Sequence, residues 1–253
     1  MSRRRFIGSR LAAGLICCLV AGVSLAAAPD PFDALAAQLN ASDPEKQFSA
    51  VEKLAETGDP RAAPLLIAAL ERDMHERSGI AMMIIPVLGA MGDALAVPIL
   101  IRTLEKREDD WLGREAAAAA LGEIGAVEAV PPLLNAAWMA DTRSNAIQAL
   151  ATIGDPRAVE VLISAFDPAE EPEARDAAVE GLARIGPQAI PALIEKLGSW
   201  SKEYPANEER AVAATVLGEI GHASARQALT TALDDPSEAV RSSARTALKR
   251  LPP

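Results

Sequence analysis

An all-α, right-handed α-solenoid of about seven antiparallel helix pairs is the fold this sequence predicts, and three observations predict it. The pentapeptide Leu121-Gly122-Glu123-Ile124-Gly125 returns letter for letter as Leu217-Gly218-Glu219-Ile220-Gly221. Several further positions recur in the same register along the chain, which is the mark of an internal repeat. Half of the 253 residues are apolar but only 3% are aromatic. Ala and Leu must therefore build the core, which suits closely packed helices better than a sheet sandwich.

The first 28 residues stand apart from that core. Arg3, Arg4, Arg5 and Arg10 precede the apolar run Leu11 to Val20, and the small residues Ser24-Leu25-Ala26-Ala27-Ala28 follow it. These are the three regions of an export signal. Ser2-Arg3-Arg4-Arg5-Phe6-Ile7 resembles the twin-arginine (Tat) consensus, with both arginines and the Phe in register. Cleavage is expected after Ala26, which places small residues at −3 and −1 and avoids a cut just before Pro29. The alternative is an uncleaved anchor, since residues 11–28 are just long enough to span a bilayer. Both cysteines, Cys17 and Cys18, fall in this apolar run. The mature chain then has no disulfide, thiolate metal site or cysteine nucleophile. Removing residues 1–26 takes away four arginines and no acids, so 25 basic residues become 21 against 35 acidic, a net of −14. Such a charge repels nucleic acid and anionic lipid and favours a protein or cationic partner.

From residue 29 onward the chain is repetitive. Gly58, Gly92, Gly125, Gly154, Gly186 and Gly221 mark it at spacings of 34, 33, 29, 32 and 35 residues. Four residues before each marker stands a leucine (54, 88, 121, 150, 182, 217), and three before it a small residue: Ala55, Gly89, Gly122, Ala151, Ala183, Gly218. Eight after it comes an aliphatic: Leu66, Leu100, Leu133, Leu162, Ile194, Leu229. Apolar residues at helical spacing before the glycine make one buried face. The small column lets neighbouring helices approach, and the marker glycine suits a helix C-terminus that needs positive φ. Gly58-Asp59-Pro60-Arg61-Ala62 and the identical Gly154-Asp155-Pro156-Arg157-Ala158 then supply an Asp cap and an early Pro for the next helix. A second boundary between markers gives the pairs 31–39/44–57, 60–71/76–91, 94–106/111–124, 127–139/142–153, 156–166/172–185, 187–197/206–220 and 223–233/236–250. Leu248 and Leu251 keep the register in the last of them, where Pro252 replaces the glycine.

Gly-Asp-Pro-Arg-Ala-x-x-x-Leu-Ile and Ala-x-x-Leu-Gly-x-Ile-Gly resemble HEAT repeats, in particular the short HEAT-like type also found in phycobilisome lyases. The resemblance covers nearly all of residues 31–251 and implies the solenoid fold. It is not specific for function, since such arrays serve as scaffolds, adaptors and occasionally enzymes.

Few residues suggest chemistry. Arg114, Arg143, Arg175 and Arg210 lie eleven residues before successive markers, and Arg241 holds the same place before Pro252. The column is either a line of cations for a partner's carboxylates or a structural ladder pairing with acids and caps such as Asp110, Asp141, Glu171 and Glu208; the ladder is the stronger expectation. His75-Glu76 is similar to the His-Glu pairs with which the HEAT-like deoxyhypusine hydroxylases bind iron. That family needs four such pairs, and here the other histidine, His222, precedes Ala223. Both histidines are expected to be surface or capping residues, and no metal is expected. Asp109-Asp110 and Glu170-Glu171 are expected to be solvated turns. No Gly-x-Ser-x-Gly elbow or phosphate loop is present. The longest inter-helix segment, residues 198–207, carries Trp200 and the chain's single tyrosine, Tyr204, either as a contact point or as a cover for a repeat edge. Trp111 and Trp138, at helix ends, are expected to pack. Ile80 to Leu88 is the most apolar stretch, expected to be a buried helix bent by Pro86, with a Met-rich groove as the alternative.

The expected function is that of an exported, periplasmic, non-catalytic scaffold in a bacterium. It holds a protein or peptide partner on the surface of its second helices and binds neither cofactor nor nucleic acid, nor membrane once the signal is removed. The alternative is a cofactor-handling or lyase-like accessory factor for an envelope client.

Overall fold

The computed structural model describes residues 30–76, 79–106, 111–199 and 206–252. The expected export signal, residues 1–28, lies outside them. Within them the chain forms fourteen α-helices in seven antiparallel pairs: α1 (Pro31–Leu39) with α2 (Pro44–Glu56), α3 (Ala62–Glu76) with α4 (Ala81–Met91), α5 (Val97–Glu105) with α6 (Trp111–Ile124), α7 (Val130–Ala136) with α8 (Arg143–Ile153), α9 (Val159–Ser164) with α10 (Pro172–Ile185), α11 (Ile190–Gly198) with α12 (Ala206–Ile220), and α13 (Arg226–Thr231) with α14 (Glu238–Arg250). From the third pair on, a short 3₁₀ turn leads into the first helix. Second helices pack on second helices and first helices on first, so each pair touches chiefly its neighbours in sequence. None of the described helices is long and apolar enough to cross a membrane.

The predicted columns carry this stacking. The six leucines before the markers are fully buried, as are the aliphatics after them except Ile194. All six marker glycines have positive φ, between 62° and 73°. Asp59, Asp93 and Asp155 follow three of them, and each carboxylate accepts the backbone N–H two residues on. His222 takes that place after Gly221, its Nδ1 accepting from the Ser224 N–H.

One boundary falls elsewhere than expected. Helix α3 runs to Glu76 and α4 starts at Ala81, each about five residues later than the expected bounds 71 and 76. Asp73 is the cause: it is buried inside α3, and its carboxylate accepts the N–H groups of Gly79 and Ala81, capping α4 from the neighbouring helix.

The small column works as half of a pair. A Cβ built on Gly89, Gly122 or Gly218 would lie 2.6–2.9 Å from the Cα and Cβ of Ala120, Ala149 or Ala247 on the next second helix. Each of these alanines stands five residues before its own marker. Between α8 and α10 the order is reversed: Ala151 holds the first place, and Gly181 would clash with it at 2.6 Å. Close approach therefore needs one glycine per seam, on either side. The corresponding pairs at the remaining two seams are Ala55/Val87 and Ala183/Val216. At these two seams, α2/α4 and α10/α12, the neighbouring second helices make the least extensive contact. Bulk at two positions per repeat sets the spacing of the solenoid.

Candidate functional site

The arginine column joins one repeat to the next. In the first turn of α6, Arg114 donates from Nε to the Leu104 carbonyl (3.1 Å), closing the end of α5, and from Nη1 to Asp141 in the following repeat (2.7 Å). Arg143 repeats the arrangement with the Ala137 carbonyl (2.7 Å) and Glu170 (2.5 Å). Arg210, almost wholly buried, pairs with Asp235 and donates to Asn207. Arg241, in the last pair, donates to the Asp235 carbonyl (2.6 Å) and turns to Glu238 on its own helix. Arg175 makes no side-chain pair among the described residues. The partners are thus acids about 26 residues downstream, where the expectation was acids beside each arginine; Glu171 caps nothing, while Glu170 takes the ion pair. Arg114 and Arg143 thus spend their guanidinium groups on helix ends and on carboxylates of the next repeat.

A second set of ion pairs lies at the repeat starts. Arg61 pairs with Asp59 and with Asp30 and lies 4.1 Å from the centre of the Phe32 ring; Arg157 pairs with Asp155. The Arg61 hydrogen bonds hold the Asp59 carboxyl below its ordinary range, and those of Arg157 do the same for Asp155. Asp30 is lowered first by the Phe32 N–H and then by Arg61. These are capping devices on the exposed surface.

The outward face of the second helices has a different character. Residues ten before each marker line up as Phe48, Met82, Glu115, Ser144, Asp176, Ala211 and, counting from Pro252, Ser242. Phe48 and Met82 are 47% and 39% exposed, large apolar side chains at one position of adjacent repeats. Pro86 and Ala90 are exposed and Met83 and Val87 half-buried, so the outer face of α4 carries no charge over its eleven residues. The expectation of a buried helix holds only for its inner side, Ile84, Ile85 and Leu88. Farther along, the face turns to amides and hydroxyls at Asn145, Gln148 and Thr152. The sequence alone did not single out Phe48 or the α2–α4 continuity, although their common register carries the signal.

Trp138 also departs from expectation. It does not pack: it is 66% exposed beside Arg143, whose guanidinium carbon lies 5.6 Å from the ring centre. Met139 beside it is half-buried, its sulfur meeting Arg114. The predicted contact residues Trp200 and Tyr204 lie outside the described residues, as do the side chains of His75, Glu76 and Trp111. No group of three His, Cys, Asp or Glu side chains is placed to hold a metal among the described residues.

Comparison with known proteins agrees with this architecture. The HEAT repeats profile matches residues 32–112, 79–142, 135–204 and 194–252. No curated protein matches the chain. Among solved structures, the complex of CpcE and CpcF of phycocyanin lyase from Nostoc sp. PCC7120 is 24% identical, with 88% of this chain and 89% of that one covered and a TM-score of 0.54. Human deoxyhypusine hydroxylase is 22% identical over 87% and 95% of the two chains, with a TM-score of 0.47. A designed armadillo repeat protein is 21% identical over 87% and 100%, with a TM-score of 0.38. The expectation that the chain is not an enzyme is corrected here. The Nostoc lyase complex shares this fold, so the architecture does not exclude catalysis, and at 24% identity it assigns no reaction.

Proposed function

Because the chain belongs to the HEAT-repeat family, we propose that it is a protein-interaction scaffold whose second-helix face, centred on α2 and α4, holds a protein or peptide partner. Exposed Phe48 and Met82, at one register position of adjacent repeats, and the uncharged outer side of α4 with Met83 and Pro86 support this most directly, since exposed apolar side chains on an acidic protein mark a contact surface. Methionines suit such a face because their side chains adapt to what they meet. The scaffold acts outside the cytoplasm, after Tat export and removal of residues 1–26; Ser2-Arg3-Arg4-Arg5-Phe6-Ile7 supports that placement.

Site-specific photo-crosslinking in the host that makes the protein tests this reading. A crosslinking residue at position 82 is expected to yield one discrete protein adduct that Phe48→Glu abolishes. A crosslinker at Glu160, exposed on first helix α9, is expected to yield none. Equal adducts from both positions, or none from position 82, would refute a second-helix binding face. The alternative, a cofactor-handling or lyase-like accessory role, draws support from the Nostoc lyase complex, which shares the fold. A visible absorption band in the protein purified from its host would favour it.

A further inference from the structure

Twelve residues after the markers stand Leu70, Leu104, Ala137, Phe166, Gly198 and Leu233, on the first helices or just beyond their ends. The first four are buried. Gly198 has no side chain to bury, and neither of the usual reasons for a glycine holds there. Its φ is not positive, and a Cβ at 198 would meet nothing within 4 Å, whereas at Gly89, Gly122, Gly181 and Gly218 it would strike a neighbouring helix. A cleft of about 630 Å³ lies beside Gly198 between α11 and α13, against about 270 Å³ for its counterpart between α5 and α7, where Leu104 is present. Ile194 lines it and is the one member of its aliphatic column that is not fully buried.

The polar lining is equally particular. Arg210 and Asp235 form a neutralised pair in the lining, while Asp234 is exposed and makes no ion pair among the described residues. Arg210 Nε is buried without an acceptor among the described residues, whereas Arg114 Nε has the Leu104 carbonyl. A buried donor without an acceptor is costly, and a bound main-chain carbonyl would satisfy it.

We propose that this cleft receives a peptide of a partner protein that inserts one leucine- or phenylalanine-sized side chain into the place vacated at Gly198. A lysine or arginine beside it meets Asp234. The apolar walls of Ile194, Leu197 and Ala228 take the side chain, and the negative rim of a chain with net charge −10 selects the basic neighbour. The inference rests on the scaffold reading only in taking the partner to be a protein. The cleft lies between first helices, so its failure leaves the second-helix face untouched, and the crosslinks from position 82 report on that face separately.

The test is fluorescence anisotropy of labelled, capped heptapeptides titrated with the full chain. A Lys-Leu-Lys peptide is expected to bind about tenfold tighter than Lys-Ala-Lys or Glu-Leu-Glu peptides, the discrimination expected of one buried side chain or one charge match. Gly198→Leu, which restores the side chain its sister repeats carry, is expected to abolish that preference without lowering the melting temperature. Asp234→Asn is expected to weaken Lys-Leu-Lys about threefold at low salt. Should Gly198→Leu disturb folding, Gly198→Ala adds a single methyl in open space and is expected to weaken binding measurably. Unchanged binding to a folded Gly198→Leu variant, or equal binding of Lys-Ala-Lys, overturns the proposal. So does binding that appears only in the Trp200→Ala, Tyr204→Ala double variant, which would mean that the chain's own segment occupies the cleft.

Discussion

Exchanging the members of one glycine–alanine seam is the sharpest perturbation of the scaffold. In Gly122→Ala the new Cβ would sit 2.7 Å from Ala149 Cα and 2.8 Å from its Cβ, against an ordinary contact of at least 3.4 Å, an overlap of 0.6–0.7 Å. The atoms met are backbone and Cβ, which cannot rotate away, so α6 and α8 must separate. Overpacking of this kind costs about 1–3 kcal/mol, and the better helix propensity of alanine returns up to about 1 kcal/mol. Ala149→Gly alone forfeits that propensity and loosens the contact, so it is destabilising too, by about 1 kcal/mol. The double exchange Gly122→Ala, Ala149→Gly restores one glycine per seam and an unchanged composition, and the natural Ala151/Gly181 pair already has that order. It is expected to melt close to wild type, with the singles lower by about 2–4 °C per kcal/mol lost. Thermal unfolding of the four proteins gives a complete double-mutant cycle with a coupling of about 1–3 kcal/mol. A double variant whose loss equals the sum of the two singles would refute the idea that one small residue per seam sets helix spacing.

Three further outcomes are expected. Arg210→Ala leaves the Asp235 carboxylate, 10% exposed, without its cation and is expected to cost about 3–5 kcal/mol, whereas Arg157→Ala removes an exposed guanidinium and is expected to cost far less; comparable losses in thermal unfolding would contradict the burial of the ladder. Asp155 is lowered by Arg157, so its stabilisation is present above the ordinary value of 3.8 and is lost as pH falls through the still lower folded value. The stability difference between wild type and Asp155→Asn should therefore be flat from about pH 7 to pH 5 and close at more acid pH, and a difference that widens on acidification has the wrong sign. Arg3→Lys with Arg4→Lys is expected to leave uncleaved precursor in the cytoplasm, read by fractionation and immunoblot, and normal processing would remove the Tat route.

Most of the fold is legible in one dimension because each recurring residue answers a local demand. A marker glycine must turn the chain left-handed, and a leucine four residues earlier must fill the stack. Legibility fails where two repeats meet. Asp73 reads as part of a polar linker until its bonds to Gly79 and Ala81 across the turn are known. The arginine column is plain in the sequence, but Arg114 reaching Asp141 and Arg143 reaching Glu170 depend on how far one repeat lies from the next. Gly181 hides outside the column it serves, since either partner of the seam can be the small one. Trp138 is hard to place for a related reason: a large aromatic at a helix end suggests burial, yet it stands exposed beside Arg143. Functional surfaces were less legible still, because Phe48 and Met82 gain meaning only as neighbours and Gly198 only as a missing side chain.

Native mass spectrometry of the protein released gently from the envelope of its own host tests the scaffold claim most directly. The expected result is a complex with the mass of residues 27–253 plus one discrete protein partner, lost on Phe48→Glu. The same mass with only a small bound molecule, or with nothing bound under conditions that preserve other envelope complexes, would contradict it.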